Sequence, residues 1–103
     1  MIVEFNNTYL QKVYEGKLVT GKPKYSHDVI VKFKKTVLML RSAESVKELR
    51  KFRGLNFEAL KGDYKGFYSV RVDLHYRLIL SVEHDSIVVS DILIIEDLTN
   101  HYQ

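Results

Sequence analysis

Two alternating runs in the second half of the chain constrain its fold more tightly than anything else in it. Tyr68, Val70 and Val72 alternate with Ser69, Arg71 and Asp73; Tyr76, Leu78, Leu80 and Val82 alternate with Arg77, Ile79 and Ser81. A period of two predicts strands with one face buried and one left for solvent or ligand. For both apolar rows to share a face the joining loop needs an odd number of residues, and Asp73-Leu74-His75 supplies three. This register sets Val70 across from Leu78, Val72 across from Tyr76 and, on the other face, Arg71 across from Arg77. Like charges facing each other across a ladder repel unless something neutralises them. A phosphate fits the planar fork of a guanidinium; an ion pair with Asp73, Glu96 or Asp97 would serve as well. The pattern leaves both readings open.

The runs before the hairpin are of another kind. Ile2-Val3-Glu4-Phe5 is short and β-favouring, and Asn6 and Asn7 behind it are good helix caps. A short helix is predicted from Asn7 to Gly16, with Tyr9, Leu10, Val13 and Tyr14 on one stripe. After a loop around Pro23 the strongest helix begins near Ser26. Its expected core stripe is Ile30, Phe33, Val37, Leu38 and Leu40, with Lys32, Lys34, Lys35 and Arg41 on the other sides. Ser45-Val46-Lys47-Glu48 has the spacing of a capping box and predicts a third helix to Phe52, closed by Gly54. Asn56 to Leu60 reads as a connector, and Lys61-Gly62-Asp63-Tyr64-Lys65-Gly66 as a basic turn leading into a strand from Phe67.

Beyond the hairpin, a turn at Glu83 to Ser86 precedes a segment from Ile87 to Asp97 that is apolar on both rows. Such a strand belongs inside a sheet rather than at its edge. One strand, two or three helices, then three strands in meander make an α+β fold, with the helices on one face of an antiparallel sheet of about four strands. At 103 residues the chain suffices for one domain, residues 1–103, and is too short for two.

Several chemistries fall away. The chain has no cysteine, so disulfides and thiolate metal sites are excluded. Its four histidines, His27, His75, His84 and His101, lack H-E-x-x-H spacing, and there is no acidic cluster for a hard cation, no Gly-rich nucleotide loop and no nucleophile elbow. The opening MIVEFNNTYL is not the pattern of a signal peptide and no apolar run reaches a membrane span, so the expected location is the cytoplasm. A net charge of +3 is mild, but Lys32, Lys34, Lys35, Arg41, Lys47, Arg50, Lys51, Arg53, Lys61 and Lys65 crowd the middle third. That fits an acidic partner, nucleic acid or protein, and equally a solvated helix face. Cations, Tyr and His on one sheet suit metal-free phosphodiester chemistry on RNA. There the substrate's own 2′-OH is the nucleophile, and the protein supplies position, charge and a proton-transfer pair.

The blocks Leu60-Lys61-Gly62-Asp63-Tyr64-Lys65-Gly66, Tyr68-Ser69-Val70-Arg71-Val72 and Tyr76-Arg77-Leu78, in that order and at that spacing, resemble the L-K-G-D…G…S-I-R-I-N-D-Q-Y-R-I signature of HigB-like toxins in the RelE/ParE superfamily. The ending Ile95-Glu96-Asp97-Leu98-Thr99-Asn100-His101-Tyr102 is similar to one branch that closes in E-L-S-N-H-Y. The resemblance runs from about Asn56 to the C-terminus, and the helical half agrees in order and length. It implies the fold shared with small microbial ribonucleases and, as activity, metal-independent cutting of mRNA in the ribosomal A site by 2′-OH attack. It implies no cofactor, and as partners the ribosome, mRNA and a cognate antitoxin of helix-turn-helix type.

Residue by residue, the resemblance implies that Arg71 holds the scissile phosphate and that Lys61 binds phosphate or stabilises the transition state. It makes His101 and Tyr102 candidates for general base or acid. Arg77 and Lys65 fall to RNA-phosphate binding, with Arg77 partly structural; His75, standing where the family has Gln, is a departure open to a phosphate contact, an added acid/base or a polar loop residue. Three residues separate Asp97 from His101, unlike the acid of the D-Y-H ending in other branches. Two alternatives remain at this stage: a ParE-like gyrase inhibitor, and an inactive toxin fold kept as a partner-binding module.

Overall fold

The computed structural model describes residues 1–87 and 90–101. Strand β1 (Ile2–Phe5) is followed by helices α1 (Thr8–Glu15), α2 (His27–Ser42) and α3 (Val46–Leu49), then by strands β2 (Glu58–Ala59), β3 (Tyr68–Arg71), β4 (Arg77–Asp85) and β5 (Ser90–Thr99). The sheet order is β1-β5-β4-β3-β2. The α+β arrangement is the expected one, but the sheet has five strands, and β1 runs parallel to β5, with Ile2 beside Ile92 and Phe5 beside Ile95. The remaining pairs are antiparallel. The extra strand is β2, two residues within what reads as a connector; it pairs Glu58 with Ser69 and Ala59 with Tyr68.

The helix ends follow the local chemistry of their residues. Asn7 caps α1 through its side-chain oxygen, which accepts from the Leu10 amide, and Gly16 ends it in the left-handed region at φ +75°. Ser26 caps α2 and Ser45 caps α3 in the same way. α3 is shorter than predicted and gives way to a 3-10 turn at Arg53–Leu55. The buried side of α2 is Val29, Phe33, Thr36, Val37 and Leu40. Leu38, expected in that stripe, is 58% exposed: at 100° per residue it stands a full step off the line through Phe33, Val37 and Leu40.

This helix side meets the sheet in one core. Leu10, Val13, Phe33, Val37 and Leu40 pack over Val70, Leu78, Leu80, Leu93, Ile95 and Leu98. β5 lies inside the sheet, as its two apolar rows require, with Leu93 and Ile95 fully buried and Ile92 and Ile94 half-buried on the other face. β4 runs on to Asp85, so the turn comes later than expected. Val88 and Val89, read as part of that last strand, lie outside the described residues. No helix among the described residues is long and apolar enough to cross a membrane.

β5 breaks its alternation once. Ile79 of β4 pairs with Asp97 while the next residue, Leu80, pairs with Ile95, which leaves Glu96 as a bulge. Its carboxylate accepts from Asn6 Nδ2 at 2.8 Å and Ser81 Oγ at 2.6 Å, and its carbonyl accepts from Asn7 Nδ2 at 3.2 Å. Because side chains alternate strictly, one extra residue turns everything after it to the opposite face. Without it, Asp97 and Thr99 would follow Leu93 and Ile95 into the core. With it, Asp97 lies beside Ile79 and Thr99 beside Arg77, on the face away from the helices.

Candidate functional site

The hairpin has the register expected of it: Val70 opposes Leu78 and Arg71 opposes Arg77. Arg77 in turn opposes Thr99, so one rung of the sheet carries Arg71, Arg77 and Thr99 on the face without helices. The two guanidinium groups avoid each other by diverging along the ladder. Arg71 is exposed and turns toward the loop, its Nε donating to the Asp73 carbonyl at 3.3 Å. Arg77 turns the other way and is only 4% exposed. Its Nε donates to Ser69 Oγ at 2.8 Å, and its Nη2 to the carbonyls of Asn56 and Ser69. Arg77, expected at a phosphate, is thus buried and pins the Asn56 segment against β3.

The acids that could have neutralised Arg71 are engaged elsewhere. Asp73 Oδ1 accepts from the amides of His75 at 2.8 Å and Tyr76 at 2.7 Å. Burial works to raise the Asp73 carboxyl, but those two amides, with Lys32 and His75 nearby, hold it below its ordinary range. Glu96 is held in the bulge, and Asp97 Oδ1 accepts from the Leu98 amide. Among the described residues the ion pairs are Lys17 with Glu15 and His84 with Asp91, so no carboxylate there meets Arg71. The residue is exposed.

His75 precedes Arg77 by two residues and His101 follows Thr99 by two, so both leave the sheet at the end where Arg71 stands. Both are exposed, and the His101 amide donates to Thr99 Oγ1 at 2.9 Å. Tyr102 lies outside the described residues.

Lys61 and Lys65 are placed differently. They flank a 3-10 turn at Gly62–Tyr64, with Gly62 at φ +64° and the loop closed at its base by Leu60 N donating to Phe67 O at 2.9 Å. A hollow of about 430 Å³ lined by Lys61, Gly62, Asp63 and Tyr64 opens there. This loop enters β3 at Tyr68, whereas Arg71 ends it. The three steps between them are roughly 10 Å along the strand, so the lysines stand at the opposite end of β3 from Arg71, His75 and His101.

Not every residue that holds this frame is one a motif would select. Besides Ser69, Asn56 and Glu96, Tyr25 fixes the end of β5: its hydroxyl donates to the Leu98 carbonyl at 2.8 Å. Its ring sits 6.1 Å from Tyr9 and 5.8 Å from Tyr76, centroid to centroid. Burial, with Asp97, Tyr76 and Tyr9 adding to it, pushes this phenol up to about 12. Nothing periodic marks a loop tyrosine in the sequence, so only the fold reveals it.

Residues 3–94 match the family model described as the RelE-like toxin of the type II toxin–antitoxin system HigB. Curated protein sequences give no match. Among solved structures the chain is similar to a YoeB/ParE toxin from Agrobacterium tumefaciens, at TM-score 0.56 and 14% identity over 99% of this chain and 100% of that one. It is also similar to YafQ from E. coli strain BL21(DE3), at TM-score 0.53 and 14% identity over 94% of this chain and 89% of that one. At such identities these structures establish the shared fold.

Proposed function

Because the chain belongs to the HigB-like family of RelE-like toxins from type II toxin–antitoxin systems, we propose that it arrests growth by cutting mRNA on the ribosome without a metal ion. The observation that carries this reading is Arg71: an exposed guanidinium with no carboxylate partner among the described residues, on a rung whose neighbouring strands lead to His75 and His101.

In the proposed reaction the 2′-OH of one nucleotide attacks the adjacent phosphorus. Its proton passes to a base as the P–O5′ bond breaks, and an acid returns a proton to the leaving O5′, giving a 2′,3′-cyclic phosphate and a 5′-OH. Arg71 grips the non-bridging oxygens with two parallel donors, and its charge counts for more as negative charge builds on them. His101 and Tyr102 form the proton-transfer pair. Lys61 adds charge once the RNA spans the length of β3, and Lys65 and His75 meet flanking phosphates. Arg77 holds the Asn56 segment and β3 so that Arg71 keeps its place.

The test is expression of the wild type, Arg71→Ala and His101→Ala with mapping of mRNA 5′ ends. Wild-type expression should stop growth and produce new ends at translated codons. Losing a proton-transfer group costs about 10²–10⁴-fold in rate and losing a donor to the developing charge about 10²–10³-fold, so each variant should abolish arrest while keeping its circular dichroism spectrum. Full toxicity in both variants would show the site to be wrong. Intact transcripts together with DNA damage would replace the reading by gyrase inhibition, and a harmless wild type would leave only a binding module.

A further inference from the structure

From Val29 to Ala43, α2 and its cap carry no acid. The side of α2 turned from the core presents Val31, Leu38 and Met39, which are 37%, 58% and 40% exposed, with Lys32 and Lys35 exposed between them. Val31 and Leu38 are seven residues apart, two turns along one line and about 10 Å in rise. Seven-residue spacing of apolar side chains fringed by charge is what one helix presents to another. The line continues past Lys32 toward the β3–β4 loop, where Asp73 feels the Lys32 charge and Leu74 is 80% exposed.

We propose that this outer face of α2 is the docking surface for an acidic, amphipathic helix of the antitoxin, a proposal that rests on the toxin–antitoxin reading above. Charge decides the occupant. A second copy of this chain would bring lysines against lysines. A nucleic acid would satisfy the lysines but leave Val31, Leu38 and Met39 against a phosphate backbone. A helix with apolar residues seven apart and Asp or Glu beside them satisfies both sets of groups.

The antitoxin for the test is the protein that restores growth when co-expressed and co-purifies with this chain. Its affinity is measured by calorimetry for the wild type, for Leu38→Glu with Lys35→Glu, and for Leu18→Glu, a control at a residue 97% exposed in the α1–α2 loop. The double variant should bind at least 30-fold more weakly, should still arrest growth on its own and should no longer be rescued; the control should bind as the wild type does. Unchanged affinity in the double variant would overturn the proposal. So would loss of growth arrest with antitoxin affinity intact, which would assign the face to RNA or the ribosome. The calorimetry reads the surface whether or not the chain cuts RNA, so a failed nuclease reading leaves this result interpretable.

Discussion

Arg71 and Arg77 occupy the same rung and differ in everything that decides what a substitution does. Arg77 is buried and serves two backbone carbonyls and a hydroxyl. Truncating it strands those acceptors, at a cost of about 1–3 kcal/mol for a buried group left unpaired. Urea denaturation should therefore place Arg77→Ala well below the wild type and Arg71→Ala within about 0.5 kcal/mol of it, the reverse of their expected order of direct contact with RNA. The sequence supplied the pairing of the two arginines but not their divergence, because an alternating pattern treats every arginine as outward-facing. The Asn56 segment lying over Ser69 is what receives the inward one here. Tyr25 offers a second test through pH. With its phenol raised to about 12 in the fold and near 10 when unfolded, the folded chain keeps a proton that the unfolded chain loses between those values. Whatever the hydroxyl contributes through Leu98 is therefore fully present below pH 10 and fades as the pH approaches 12. The stability difference between wild type and Tyr25→Phe, measured by denaturant at a series of pH values, should be flat up to pH 10 and shrink above it.

At the scale of elements, capping residues and hydrophobic spacing were legible and parity was not. Asn7, Gly16, Ser26 and Ser45 each mark the helix end they were read to mark. The bulge at Glu96 left no trace, since Glu96 and Asp97 are both polar and a slip of one between them changes no visible pattern. β2 is two residues with no alternation to show, and the partner of β1 cannot be inferred from four residues that suit any edge. Yet the bulge decides which face the tail follows. Glu96→Ala keeps the extra residue and loses its hold on Asn6 and Ser81; it should cost about 1–3 kcal/mol by urea denaturation and weaken growth arrest only in proportion. Deleting Glu96 should abolish arrest in any variant that still folds, because Thr99 and His101 would then be carried to the helix side.

For the whole molecule, charge and order of pairing matter most. On the proposed reading the net charge of +3 would be a small part of the attraction to RNA, and local phosphate contacts would dominate. Each contact to a single strand contributes about −0.7 to the slope of log K against log salt. Anisotropy titrations on a short RNA at several salt concentrations should give a slope near −2 for contacts by Arg71, Lys61 and Lys65, and Arg71→Ala should make it shallower by about 0.7. The parallel seam between β1 and β5 has a consequence for how the protein is made. β1 has as its sheet neighbour a strand made about 90 residues later, Ile2 lying beside Ile92, so during synthesis it waits several seconds for that partner at about 5–20 residues per second. Until β5 has been made, the nascent chain carries a sheet without the strand that joins β1 to β4. The rung of Arg71, Arg77 and Thr99 is thus among the last features of the molecule to be assembled.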